Sequence, residues 1–340
     1  MNTIPVPCER SKCIEGLRRE LLKYKPRKTD PNLQRDLQHG WLLPYLLRID
    51  SYTWQRWDYW YRTTEAGKLL DELIPKVEFY CGGNMAEGMN SNPMRHLEKC
   101  LNLIPQYGSW QGWSGWQYFD YFLDWLLFGF GHPGQPELPQ EPAGAEGACM
   151  RLYQTYDLHW QLLFPWDYWG GILAENNHGK HLGFYPTPHN VVNLMTLMLF
   201  EGTEEKQKDQ RIQTVCDPCL GTGRMLLYAS NYSLRLYGMD INPTVIKSSL
   251  VNGYLYAPWM VKPFPFLDCI QLAAVTLDGK TVATHLSDQM ALQALAQPAA
   301  TAYLAQTEHD TQEQWRFEPI LKRRKKGEKP EIVAEQGLLF

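Results

Sequence analysis

Two carboxylates and a glycine turn are the residues here whose types and spacing could do chemistry. The segment Val215-Cys216-Asp217-Pro218-Cys219-Leu220-Gly221-Thr222-Gly223 lies between a short apolar run and a helix-compatible one. In an open α/β sheet, ligands bind at the carboxyl ends of the strands. Gly221 and Gly223 would let the backbone approach such a ligand closely, although many turns contain a glycine pair. Asp217 sharpens the reading: a carboxylate at the strand end would repel a pyrophosphate and suit a ligand with a cationic ammonium. The third glycine of the dinucleotide fingerprint is also missing, since Leu226 takes its place. Asp240 ends the next expected strand, 23 residues after Asp217, where an acid can accept hydrogen bonds from both hydroxyls of a ribose. The alternative is that Asp240 caps the following helix, a job for which Asn242 is already suited.

Cys216 and Cys219 have CxxC spacing, but no second pair at ribbon-like spacing completes a four-ligand zinc site. The eight cysteines are spread along the chain, as expected of reduced thiols in a cytoplasmic protein rather than a disulfide framework. The start, MNTIPVPCERSKC, has no apolar signal core, and no run of apolar residues is long enough to span a membrane. A net charge of −4 gives no global case for nucleic acid, so any such contact must come from local patches.

The elements that must position these residues follow from periodicity. Val191 to Leu199 reads as an apolar helix, Ile212 to Cys216 as a strand, Arg224 to Ala229 as the start of a helix, and Leu234 to Met239 as a second strand. Asn242 and Pro243 read as an N-cap and first-turn proline, opening a helix with Ile246 and Leu250 on one face. This alternation predicts a parallel sheet with crossover helices. Residues 10–130 read instead as mostly helical. Eleven of the thirteen tryptophans fall between Trp41 and Trp169. Trp54, Trp57, Trp60 and Tyr61 have the spacing of one helix face; Trp110, Trp113 and Trp116, broken by glycines, read as a loop. Such rings either fill a core or interface or form a stacking surface for unpaired bases. The Pro-, Gly- and Glu-rich residues 131–148 read as a linker or long loop. The expected division is 1–148, 149–275 as the α/β core, and 276–340 as a C-terminal helix (Ser287 to Ala296), a basic run and an apolar tail.

Three stretches in this order resemble the adenine-N6 DNA methyltransferases, especially type I modification subunits. Asp217–Gly223 (DPCLGTG) looks like their first motif. Gly183-Phe184-Tyr185-Pro186-Thr187-Pro188-His189-Asn190-Val191-Val192 resembles the aromatic-Thr-Pro segment that precedes it, and Tyr237-Gly238-Met239-Asp240-Ile241-Asn242-Pro243 is similar to the second motif. The resemblance covers about a quarter of the chain. It implies a Rossmann-like core that binds S-adenosylmethionine through Tyr185, Thr187, Pro188, Asp217, Pro218, Gly221, Thr222, Gly223, Asp240 and Ile241. In that family the aromatic-Thr-Pro segment lies against the methionine end, the acid of the second motif holds the ribose, and the next apolar residue packs on the adenine. Asp268 matches the third motif, whose acid contacts the adenine, and Asn252 fits the helix after the second.

The family's catalytic Asn/Asp-Pro-Pro-aromatic tetrapeptide is not found. Its acceptors direct the amino lone pair of a flipped base at the methyl carbon. Asp30-Pro31-Asn32-Leu33 and Asn92-Pro93-Met94 lack the second proline and the ring, and Phe164-Pro165-Trp166-Asp167 has rings in the wrong polar order. The readings left are a DNA adenine methyltransferase or one subunit of it, with a partner subunit supplying the acceptor site or target recognition; a catalytically silent module that binds DNA or a partner; and a methyltransferase for RNA or protein. Lys322, Arg323, Arg324, Lys325 and Lys326 would contact phosphates or form a solvated tail. The ending Gln336-Gly337-Leu338-Leu339-Phe340 resembles the pentapeptide by which bacterial DNA-metabolism proteins bind the sliding clamp, through Gln336, Leu339 and Phe340; the alternative is packing on its own domain.

Overall fold

The computed structural model describes residues 37–79, 91–111, 115–176, 185–267, 276–277 and 280–281. The first part is helical: α1 (Leu43–Tyr52), α2 (Arg56–Ala66), α3 (Ser91–Asn102), α4 (Gly115–Gly129), α5 (Ala148–Thr155), α6 (His159–Leu163) and α7 (Tyr168–Glu175). The alternating part follows as α8 (His189–Phe200), α9 (Glu204–Gln210), β1 (Thr214–Asp217), α10 (Arg224–Ala229), β2 (Arg235–Gly238), α11 (Pro243–Tyr256) and α12 (Pro258–Val261), then a short hairpin, β3 (Thr276–Leu277) and β4 (Lys280–Thr281).

The strand–helix–strand unit forms where the pattern predicts it. β1 and β2 pair in parallel, with Asp217 opposite Gly238, and α10 is the crossover between them. α11 starts as expected: the Asn242 side chain accepts from Thr244 N at 3.0 Å, and Pro243 holds the first turn. Among the described residues β1 and β2 pair only with each other, so the fold here is helix-rich around a two-stranded parallel sheet.

Two tryptophans lie elsewhere than their spacing predicts. Gln55 sits in the left-handed region at φ 57° and α2 begins after it, so Trp54 lies off the helix that carries Trp57 and Trp60. Trp116, expected in a loop, is on the first turn of α4. That helix starts at Gly115, where a Cβ would run into the Trp110 carbonyl oxygen. Trp113 lies outside the described residues. Of the two roles for the rings, Trp57, Trp60, Trp110, Trp125 and Trp169 take the core one: each is buried.

Residues 131–147 carry no helix or strand, yet they pack, with Ala145 fully buried. Arg151 clamps this loop, donating to the carbonyls of Leu103, Ile104 and Glu146. The buried apolar residues before and after the loop belong to one continuous core. Polar links cross it too. Buried Arg56 on α2 donates to Pro75 O, to Ser230 O and Oγ, and to Asn231 Oδ1, just past α10. The indoles of Trp57 and Trp60 donate to the carbonyls of Tyr254 and Lys262. Lys247 on α11 bridges Asp120 and Asp124 on α4 at 2.7 and 2.8 Å.

Candidate functional site

β1 ends in Asp217, and the chain then turns. Cys219 N donates to Asp217 Oδ1 at 3.1 Å, which folds the Asp-Pro-Cys corner back on the strand end. Leu220 N donates to Met239 O, so the turn is stitched to the end of β2. Gly221 and Gly223 both take positive φ, 52° and 81°, values that L side chains adopt only with strain. At Gly223 space is a second constraint, because a Cβ would meet Ser249 Oγ at 2.7 Å and Met260 Cε at 2.9 Å.

Asp240 stands across this turn. Its Oδ2 accepts from Gly221 N at 2.8 Å and its Oδ1 from Asn242 N at 2.9 Å. It therefore does not serve as the cap of α11, which is Asn242. Two bonds use about half of the lone pairs a carboxylate offers. Burial pushes the Asp217 carboxyl up, and the Asp240 charge adds to the shift, against the hydrogen bond from Cys219 N. Two like charges share one corner at the sheet's carboxyl edge, so a cation placed between them is favoured.

Asp217, Pro218, Gly221, Gly223, Asp240 and Ile241 are thus brought to one edge of the sheet. Ile241 is exposed, and Tyr185 is 73% exposed. The Tyr185–Pro188 segment is tied to the turn by Arg224, which donates from Nη1 to Thr187 O at 2.7 Å. Thr222 behaves differently: it is buried, and its hydroxyl points to Asp167 at 2.6 Å. Its side chain therefore joins the framework behind the turn. Asp268, the basic run at Lys322–Lys326, and Gln336, Leu339 and Phe340 lie outside the described residues, as does the expected helix from Ser287 to Ala296.

In the sequence Asp167 stands out only as the end of Phe164–Asp167, a poor match to the acceptor motif. It caps α7, with 0% exposure, and collects four donors. Oδ1 accepts from Gly170 N and Asn252 Nδ2; Oδ2 accepts from Thr222 Oγ1 and Arg224 Nε, all at 2.6–2.9 Å. Burial opposes the charge, but the Arg224 guanidinium and the hydrogen bonds carry the carboxyl below its ordinary value. This saturation removes Phe164–Asp167 as an acceptor site. The one local signal is an aspartate three residues before Gly170, where a Cβ would meet Asp167 Oδ2 at 2.1 Å.

Among the described residues no group of His, Cys, Asp and Glu could hold a metal ion, and no helix is long and apolar enough to cross a membrane. The family model for N-6 DNA methylases matches residues 167–257. The match opens on Asp167 and takes in the glycine turn, both parallel strands and α11. No curated protein and no solved structure matches the chain.

Proposed function

We propose that the chain, whose residues 167–257 are of the N-6 DNA methylase type, binds S-adenosylmethionine at the ends of β1 and β2 and works as a DNA adenine-N6 methyltransferase or a subunit of one. The observation that carries this reading is the pairing of Asp217 and Asp240 around the positive-φ turn at Gly221. The residues fit the ligand. Asp217 offers its charge to the methionine ammonium, the free lone pairs of Asp240 suit the ribose hydroxyls, exposed Ile241 offers an apolar surface to the adenine, and the family resemblance assigns exposed Tyr185 to the methionine end. When bound, the cofactor supplies an electrophilic methyl group; the chain's own part is to hold it and keep the turn rigid. No Asn/Asp-Pro-Pro-aromatic tetrapeptide is found in the sequence, and this motivates a second reading: a silent module, or a subunit whose partner brings the acceptor pocket.

Transfer of label from tritiated S-adenosylmethionine to DNA separates these readings. Label in the N6 position of adenine supports a self-sufficient enzyme. Cofactor binding without label in DNA, RNA or protein supports the module or subunit. Absence of calorimetric heat on adding the cofactor removes the whole proposal. Replacing Asp240 with Ala removes acceptors worth about 1–3 kcal/mol each, so cofactor affinity should fall at least about tenfold. Unchanged affinity would remove the ribose assignment.

A further inference from the structure

We infer that Asp167 is the positioning residue of the proposed cofactor turn, acting through Thr222 and Arg224 to fix both the Gly221–Gly223 backbone and the aromatic-Thr-Pro segment. The inference rests on the cofactor reading above for its functional consequence and on geometry for its structural one. Each carboxylate oxygen of Asp167 holds two donors, and the residue is fully buried, so it has neither free lone pairs nor access to offer a ligand. What it holds are the two ends of the candidate site. Thr222, between the two positive-φ glycines, is gripped by its hydroxyl on Asp167, while its carbonyl accepts from Asn252 Nδ2 at 2.9 Å. Asn252 itself donates to Asp167. Arg224 spends Nε on Asp167 and Nη1 on the Thr187 carbonyl, so one guanidinium sets the spacing between turn and segment.

A turn with two glycines has many accessible conformations when it is not held. If only a fraction of molecules carries the competent turn, apparent affinity falls by that fraction. Asp167 is placed to keep that fraction near one. It does so from α7, whose Trp169 packs against Phe119 and Phe122 of α4, so the aromatic half of the chain anchors the turn.

The test is Asp167→Asn. The replacement keeps the shape, but its amide nitrogen faces two donors whichever way it is turned, and Arg224 loses its counter-charge. Two readouts are compared with the parent: affinity for S-adenosylmethionine by calorimetry, and hydrogen exchange of the Thr222 to Arg224 amides. Ile49→Ala, in α1 and away from the turn, serves as a variant that lowers stability alone. Asp167→Asn should bind about tenfold more weakly or worse and exchange faster at the turn. Ile49→Ala should melt lower and bind within about twofold of the parent. Parent-like affinity in Asp167→Asn, or an equal loss in Ile49→Ala, overturns the inference. Should Asp167→Asn fail to fold, Thr222→Val takes its place: weakened binding with faster turn exchange supports the inference, and parent-like values overturn it. If the parent itself takes up no S-adenosylmethionine, the cofactor reading fails, and turn exchange alone decides the role of Asp167.

Discussion

Asp167 and Asp217 are both aspartates next to helix-starting turns, yet their surroundings move them in opposite directions. Asp167 has Arg224 against it and is held charged; Asp217 is half-buried, has Asp240 nearby and is pushed up. His189, which opens α8, belongs to the same neighbourhood. It stacks on Trp166 at 4.8 Å, and its Nδ1 lies 2.9 Å from the Tyr228 hydroxyl. Burial, helped by the Arg224 charge and opposed by Asp167, brings it down to about 3. An unfolded histidine titrates at about 6.5. Between these values the unfolded chain binds the extra proton, so this group's contribution to stability is intact above the window and is lost as pH falls through it. Urea denaturation of His189→Gln across mildly acidic pH should show a shallower loss than the parent. The comparison must be made as a difference, because buried Asp50, raised to about 7, works in the opposite sense. Asp217, Asp240 and the two glycines were legible in the sequence because their chemistry is local to a strand end. Asp167 was not, because its partners Thr222, Arg224 and Asn252 are 55, 57 and 85 residues away.

At the scale of elements, α8 has apolar side chains on opposite faces. His189, Val192, Thr196 and Phe200 are buried, and α8 packs against α10. Leu194, Met195, Met198 and Leu199 are exposed, Met198 at 77%. A helix that is apolar all round is ordinarily covered all round. Met198→Lys is expected to leave stability within about 0.5 kcal/mol and to reduce binding of an apolar dye. Phe200→Ala, which removes a ring stacked on Tyr232 at 5.3 Å, should cost about 3 kcal/mol or more. Chemical denaturation and dye titration check both. Periodicity found this helix within two residues of its observed ends, and it also located β1, α10, β2 and α11. It failed at Trp54, where one residue with positive φ ends the register: spacing reports which rings could share a face, and a single backbone rotation decides whether they do.

For the whole molecule, described residues before 149 pack against described residues after it. Trp57 and Trp60 of α2 sit against Tyr254 and Phe264, and Arg56 reaches the residues just past α10. We therefore expect a fragment of residues 149–275 to lack a cooperative thermal transition, although it contains the entire family match. A sharp transition in that fragment would show that the segment folds alone. The family segment could be read from three short motifs; the partnership of the aromatic half with it could not, since rings signal burial without naming what they are buried against.

That shared interior makes the indoles of the helical half natural witnesses for events at the glycine turn. A ligand that binds only the folded form stabilises everything that unfolds with it, by about 2.7 kcal/mol at a hundredfold excess over Kd. Tryptophan emission from rings such as Trp57 and Trp60, which touch no proposed ligand, would then shift to higher temperature when the far edge of the sheet is filled. The chain carries its own optical gauge of occupancy, built from side chains whose everyday work is to fill space.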